Sequence, residues 1–166
     1  KGRIEHFASR GAMDIEGLGT SIIDLFVELG YLKTYADIYS LHTRELELKM
    51  MDRFGDKSID NLLNAIEASK TRPFHKVLFA IGIRYVGAGA AKKLADHFQS
   101  MDNLANASIE EITEVYEIGE SIAASVKRFF ADEHNRHLIQ TLKDAGLTFE
   151  SEKRAEVSEN FFKGKS

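Results

Sequence analysis

The sequence predicts an all-α fold made of four helical hairpins, arranged as two tandem two-hairpin units. Three observations predict it. A short glycine-centred segment recurs four times at near-equal spacing, apolar residues between the copies fall at helical intervals, and a single proline, Pro73, stands near the middle. Strand-like alternation is nowhere sustained; Leu147-Thr148-Phe149 alone reads as a short extended piece.

The glycines are Gly19, Gly55, Gly87 and Gly119, which stand 36, 32 and 32 residues apart. Four residues before each is an apolar residue (Ile15, Met51, Ile83, Val115), and one residue before is another (Leu18, Phe54, Val86, Ile118). Ile23, Ile59, Ala91 and Ala123 follow at the fourth position, and Phe26, Leu62, Leu94 and Val126 at the seventh. The last two sets share one face of a helix, whereas the first two bracket a tight turn. The expected helices outside the turns run over 61–70, 74–80, 89–98, 109–116, 120–130 and 135–145, where apolar spacing is helical. Ser108 and Glu111 form a capping-box pattern before the fourth turn, with Thr43 at the matching place before the second. Pro73 marks the join, because a helix ends before proline or begins with it. The expected organisation is therefore 1–70 for the first hairpin pair and 71–150 for the second. Residues 151–166 complete it with a polar linker and an apolar end, Phe161-Phe162.

This is the pattern of a helix-hairpin-helix motif. Glycine supplies the positive φ expected in a sharp turn between helices. The helix that follows begins with backbone N–H groups lacking helical partners, and its dipole favours an anion there. Such a site needs a phosphate and no particular base.

Composition limits the alternatives. With 166 residues, 43% hydrophobic and 29% charged, the chain reads as globular. It has no cysteine, which removes disulfides, thiolate zinc sites and thiol catalysis and fits a reducing cytoplasm. No apolar run reaches bilayer length, and residues 1–10 lack a signal-peptide core, so no membrane partner is expected. The net charge of −4 conceals a partition. Lys70 to Ala95 carries six basic residues and no acid, while Met101 to Val126 carries six acids and no base. Gly82 and Gly87 have P-loop spacing, but Ala88 stands where the lysine belongs. Gly17-x-Gly19 and Gly87-x-Gly89 lack the third glycine of a dinucleotide fingerprint. His134 and His137 have a metal-like spacing, yet Asp132 as a helix N-cap explains that segment better.

Residues 3–19, from Arg3-Ile4-Glu5-His6-Phe7 to Glu16-Gly17-Leu18-Gly19, resemble the stretch after the zinc finger of bacterial NAD-dependent DNA ligases. Asn64 to Lys70, Leu78 to Gly87 and Phe129 to Arg136 resemble later parts of the same region, and Phe161-Phe162-Lys163-Gly164-Lys165 resembles the start of the BRCT domain. The resemblance covers about residues 3–150. It implies a segment of a nick-sealing enzyme that grips duplex DNA around the nick, on the minor-groove side, largely through backbone amides. The parent would use NAD, a divalent metal such as magnesium and a structural zinc, all outside this segment. Its Lys-x-Asp-Gly adenylation motif does not occur here, so no catalytic residue and no cofactor is expected within these residues. Implied partners are nicked duplex DNA and the neighbouring zinc finger, nucleotidyltransferase/OB core and BRCT domains, in a monomeric, cytoplasmic, nucleoid-associated protein. The start at Lys1 is read as a piece of a longer chain.

The expected DNA-binding residues are Gly17, Leu18 and Gly19 in the first hairpin and Arg53, Gly55 and Lys57 in the second. In the third they are Arg84, Val86, Gly87, Gly89, Lys92 and Lys93. The family usually has glycine two residues before the fourth anchor. Glu117 stands there and Glu120 follows the anchor, and two carboxylates repel a phosphate, so the fourth hairpin is expected to stay off the DNA. The competing expectation is a non-catalytic scaffold that positions neighbouring domains or proteins.

Overall fold

The computed structural model describes residues 2–51 and 54–151, and within them every regular element is helical. Arg53 and the expected segment beyond Ser151 lie outside the described residues. In chain order the helices are α1 (Gly2–Ala8), α2 (Thr20–Glu28), a 3₁₀ segment (Tyr35–Arg44), α3 (Glu45–Lys49), α4 (Asp56–Ser69) and α5 (Phe74–Ala80). They continue with α6 (Ala88–Phe98), α7 (Met101–Asn106), α8 (Ile109–Thr113), α9 (Glu120–Ala131) and α10 (Glu133–Ala145).

Local chemistry sets many of the ends. Ser108 and Glu111 close the expected capping box: the Ser108 N–H donates to the Glu111 carboxylate at 2.8 Å, and the Glu111 N–H donates to the Ser108 hydroxyl at 3.1 Å. Asp132 caps α10 by accepting from the His134 and Asn135 amides. Gly30, at φ +82°, ends α2, with Tyr31 N–H reaching back to the Phe26 carbonyl. Gly146, at φ +101°, ends α10 in the same way. Thr43 has a different role from the one its position suggests. It lies inside the 3₁₀ segment with its hydroxyl on the Ser40 carbonyl, because Asp37 already caps that segment by accepting from the Lys33 and Thr34 amides. Leu147 to Phe149 does not build a strand. It contributes an isolated bridge between Ser100 and Glu150, with the Met101 amide on the Phe149 carbonyl.

The apolar positions of the repeat are the core. Ile23, Ile59, Ala91 and Ala123 are buried, as are Phe26, Leu62, Leu94 and Val126 one helical turn further on. Each such helix packs on the one before its turn: α1 on α2, α3 on α4, α5 on α6 and α8 on α9. One continuous apolar cluster runs through both halves of the chain. Phe7 of α1 stacks on Tyr35 at 4.9 Å, α1 also packs on α5, and α10 returns to the 3₁₀ segment. Polar ties accompany this packing. The His6 ring meets the Phe79 carbonyl at 2.8 Å, the Arg72 guanidinium donates twice to the Ala12 carbonyl, and the Thr148 hydroxyl donates to the Lys70 carbonyl.

Candidate nucleic-acid interface

Four turns share one hydrogen bond. The amide just before the anchoring glycine donates to the carbonyl three residues earlier: Leu18 to Ile15, Phe54 to Met51, Val86 to Ile83 and Ile118 to Val115, at 3.0–3.3 Å. The residue two before the glycine has positive φ where it is described: Gly17 +93°, Tyr85 +72° and Glu117 +67°. This combination is a type II turn, whose third residue needs the left-handed region. The glycine expected to supply that conformation does not. Gly19, Gly55, Gly87 and Gly119 all have φ between −83° and −92° with extended ψ, and each is the N-cap of the following helix. The turn strain falls two residues earlier, because the chain must reverse before it can enter the helix.

The anchors explain their glycines in another way. A Cβ built at any of the four would meet no atom of the described residues within 4 Å beyond its own chain neighbours and helix backbone, and the same holds at Gly89. The backbone conformation is open to any residue, and the fold does not crowd the position. What glycine preserves there is an unobstructed approach from outside. Among the described residues no side chain caps α2, α4, α6 or α9, whereas Ser100, Ser108 and Asp132 cap α7, α8 and α10. The first amide to find a helical partner is the fourth after each glycine: Ile23, Ile59, Ala91 and Ala123. The three amides before it have no helical partner, and they sit at a helix start of exposed or half-buried residues with the positive end of the dipole behind them.

The four turns divide into two kinds. The first turns of α2 and α6 carry no acid, while Asp56 opens α4 and Glu120 opens α9. An acid there already neutralises the positive helix end. Backbone geometry follows the same division. Five residues before the glycine, Asp14 and Gly82 have positive φ, whereas Met50 and Glu114 are right-handed. Alternate hairpins are alike.

Gly17, Gly19, Gly55, Lys57, Arg84, Gly87, Gly89 and Lys92 lie exposed on these tips or the first turns behind them, and Lys93 is half-buried. Leu18 and Val86 play a different part from the one expected of them. Their side chains are buried and their amides close the turns, so they hold the hairpin and offer no donor. The basic stretch is partly spent inside the protein. Lys92 reaches both Asp96 carboxylate oxygens at 3.0 Å, Lys93 lies 3.1 Å from Glu117, and Arg72 is committed to Ala12. Arg84 keeps its guanidinium 5.1 Å from the Tyr85 ring centroid, and its carbonyl accepts from Ser125 of α9 at 2.6 Å. The exposed aromatic Tyr85 was missed by sequence reasoning. Its place, two before the anchor, was the signal, since Gly17 fills the same column.

The helix-hairpin-helix motif family matches residues 76–139, the third and fourth hairpins with the start of α10. Residues 76–139 therefore carry a helix-hairpin-helix motif. Over nearly its whole length it is homologous to a segment of bacterial proteins named DNA ligase. It is 47% identical over 165 residues to one from Bacillus cytotoxicus, covering 97% of this chain and 24% of the relative. To the Bacteroides fragilis protein it is 48% identical over 147 residues, covering 89% of this chain and 22% of the relative. The Christiangramia forsetii protein is 50% identical over 149 residues, with 90% and 22% covered. The chain thus spans about a quarter of the length of the curated relatives it matches. No helix among the described residues is long and apolar enough to cross a membrane.

Proposed function

We propose that this chain is the DNA-gripping segment of an NAD-dependent DNA ligase, holding duplex DNA by its phosphates without reading base sequence. One observation carries the reading: glycine-started, uncapped helices whose open N-termini no contact within the fold requires. A phosphate oxygen can approach such a start closely and accept from two or three main-chain amides, which are blind to the base attached. All four turns are read as helix-hairpin-helix motifs, in pairs 1–70 and 71–150 around a shared core. The phosphate sites concentrate on the first and third, whose following helices begin without an acid: Gly17, Gly19 and the amides of 20–22, then Arg84, Gly87, Gly89 and the amides of 88–90. Gly55 and Lys57 form a weaker site beside Asp56.

Nick sealing, its NAD and its divalent metal belong to the remainder of the longer protein, because the adenylation motif does not occur here. A structural zinc held by thiolates would also lie outside this chain, which has no cysteine. Partners on this reading are nicked duplex DNA and the neighbouring ligase domains, in the bacterial cytoplasm.

The test is a salt titration of affinity for a labelled duplex, with wild type and the Arg84→Ala/Lys92→Ala/Lys93→Ala variant. Each neutralised phosphate contributes about −0.9 to the slope of log K against log salt. The wild type should show a negative slope, and the variant a shallower one with weaker binding. A flat slope would leave only the scaffold role, and a triple variant that binds like wild type would take these three cations off the interface.

A further inference from the structure

Tyr85 sits at the tip of the third hairpin with φ +72°, and it is 60% exposed. A bulky L-residue in this region is strained, and glycine, as at Gly17, is the unstrained occupant. In the equivalent place of the fourth hairpin, Glu117 gains an ion pair with Lys93. Among the described residues Tyr85 gains no comparable bond. Its ring contact among the described residues is the guanidinium of its own neighbour, Arg84. A strained, exposed aromatic two residues from an open helix start points to a use outside the chain.

We propose that Tyr85 is a base-stacking finger, which lays its ring on the base face uncovered at a break in duplex DNA. This rests on the reading of the third hairpin as a phosphate site, because the phosphate at Gly87 places the adjoining nucleotide beside Tyr85. An intact duplex covers every base face, so a ring enters only by unstacking a step; a nick or gap lowers that cost. Every base has a π-face, so stacking is compatible with indifference to sequence. Arg84 adds a cation between ring and backbone. The finger thus supplies what amide–phosphate contacts lack, a preference for broken over continuous duplex.

The full chain is titrated by fluorescence anisotropy with a continuous duplex and with the same sequence carrying a single-nucleotide gap. A parallel gapped duplex has 2-aminopurine at the gap edge. Tyr85→Gly should lose about ten-fold in affinity for the gapped duplex, little for the continuous one, and the 2-aminopurine response on binding. Tyr85→Phe should keep all three. Because glycine adopts φ +72° freely, Tyr85→Gly should melt no lower than wild type, which separates loss of stacking from loss of fold. A folded Tyr85→Gly protein with the wild-type gapped-to-continuous ratio and the wild-type 2-aminopurine response overturns the finger alone. A wild-type chain that binds neither duplex overturns the hairpin reading, and the finger with it.

Discussion

The Lys93 ammonium lies 3.1 Å from the Glu117 carboxylate, joining α6 of the third hairpin to the turn of the fourth. Both side chains are more than a third exposed, so the pair contributes about 0–1 kcal/mol. Glu117 holds φ +67° to make it, a conformation that costs a non-glycine residue about 1–3 kcal/mol. The strain outweighs the pair. Glu117→Gly should therefore raise the melting temperature, by about 2–4 °C for each kcal/mol gained. It should also free Lys93 for phosphate, steepening the salt slope by up to about 0.9. A lower melting temperature with an unchanged slope would show that the pair matters more to the fold than to the charge balance of the surface.

Gly87 separates the two uses of glycine. Its φ is −83° with extended ψ, and a Cβ there meets nothing within 4 Å. Gly87→Val should fold, losing about 1 kcal/mol for a poorer N-cap, while its branched side chain blocks the approach to the amides of 88–90. DNA affinity should fall by at least ten-fold with helical circular dichroism unchanged. The contrasting variant is Gly17→Val, where φ is +93° and Leu62 Cδ1 lies 3.6 Å from the new Cβ. That change should destabilise the first hairpin itself. If Gly87→Val unfolds the protein and Gly17→Val does not, the division between turn and anion site is wrong.

Arg72 shows why charge counted along the chain misleads. It belongs to the acid-free stretch, yet its Nε and Nη2 donate to the Ala12 carbonyl at 3.2 and 3.0 Å, sixty residues away. A charged donor on a part-buried carbonyl is worth about 1.5–3 kcal/mol. Arg72→Ala should lower stability by that order in urea titrations and leave the salt slope of DNA binding unaltered. A shallower slope in this variant would put Arg72 on the interface.

The hairpin skeleton was legible because it is local. The apolar columns around each glycine report a turn and one helix face, and Ile15, Leu18, Ile23 and Phe26 are buried as their spacing requires. The capping box at Ser108 and the cap at Asp132 were legible for the same reason. What escaped depends on details that spacing does not encode. Positive φ was assigned to the anchors, and it falls on Gly17, Tyr85 and Glu117, because type II geometry strains the third residue and the helix N-cap is extended. Lys93–Glu117 and Arg72–Ala12 exist only once hairpins lie side by side. Lys92–Asp96 is an i,i+4 pair that spacing alone encodes, since Asp96 directly follows the acid-free stretch. The 3₁₀ segment over Tyr35–Arg44 was not singled out, although its buried Tyr35, Ile38 and Leu41 stand three apart; its start is set by Asp37, which accepts from the Lys33 and Thr34 amides.

Those two tyrosines give a pH dependence. Burial pushes both phenols from the ordinary 10.0 up to about 12, more strongly than Arg3 near Tyr35 or the Ser69 hydroxyl bonded to Tyr39 lowers them. In the unfolded chain they ionise near 10. The fold therefore binds their protons more tightly than the unfolded chain does. Their contribution is complete below pH 10 and is lost as pH rises from 10 through about 12. Two units per group correspond to a loss on the order of 3 kcal/mol for each tyrosine. The two differ in their bonds. Tyr39 meets Ser69 at 2.7 Å, while the buried Tyr35 hydroxyl has no hydrogen-bond partner among the described residues. Tyr35→Phe should thus be as stable as wild type or about 1 kcal/mol more stable at neutral pH, and Tyr39→Phe less stable by a similar amount, because Ser69 loses a partner. Both should retain more stability than wild type, relative to their own neutral values, in denaturant titrations run between pH 10 and 12. Parallel stability curves for wild type and the double phenylalanine variant across that range would place the alkaline transition elsewhere, on lysines losing their charge.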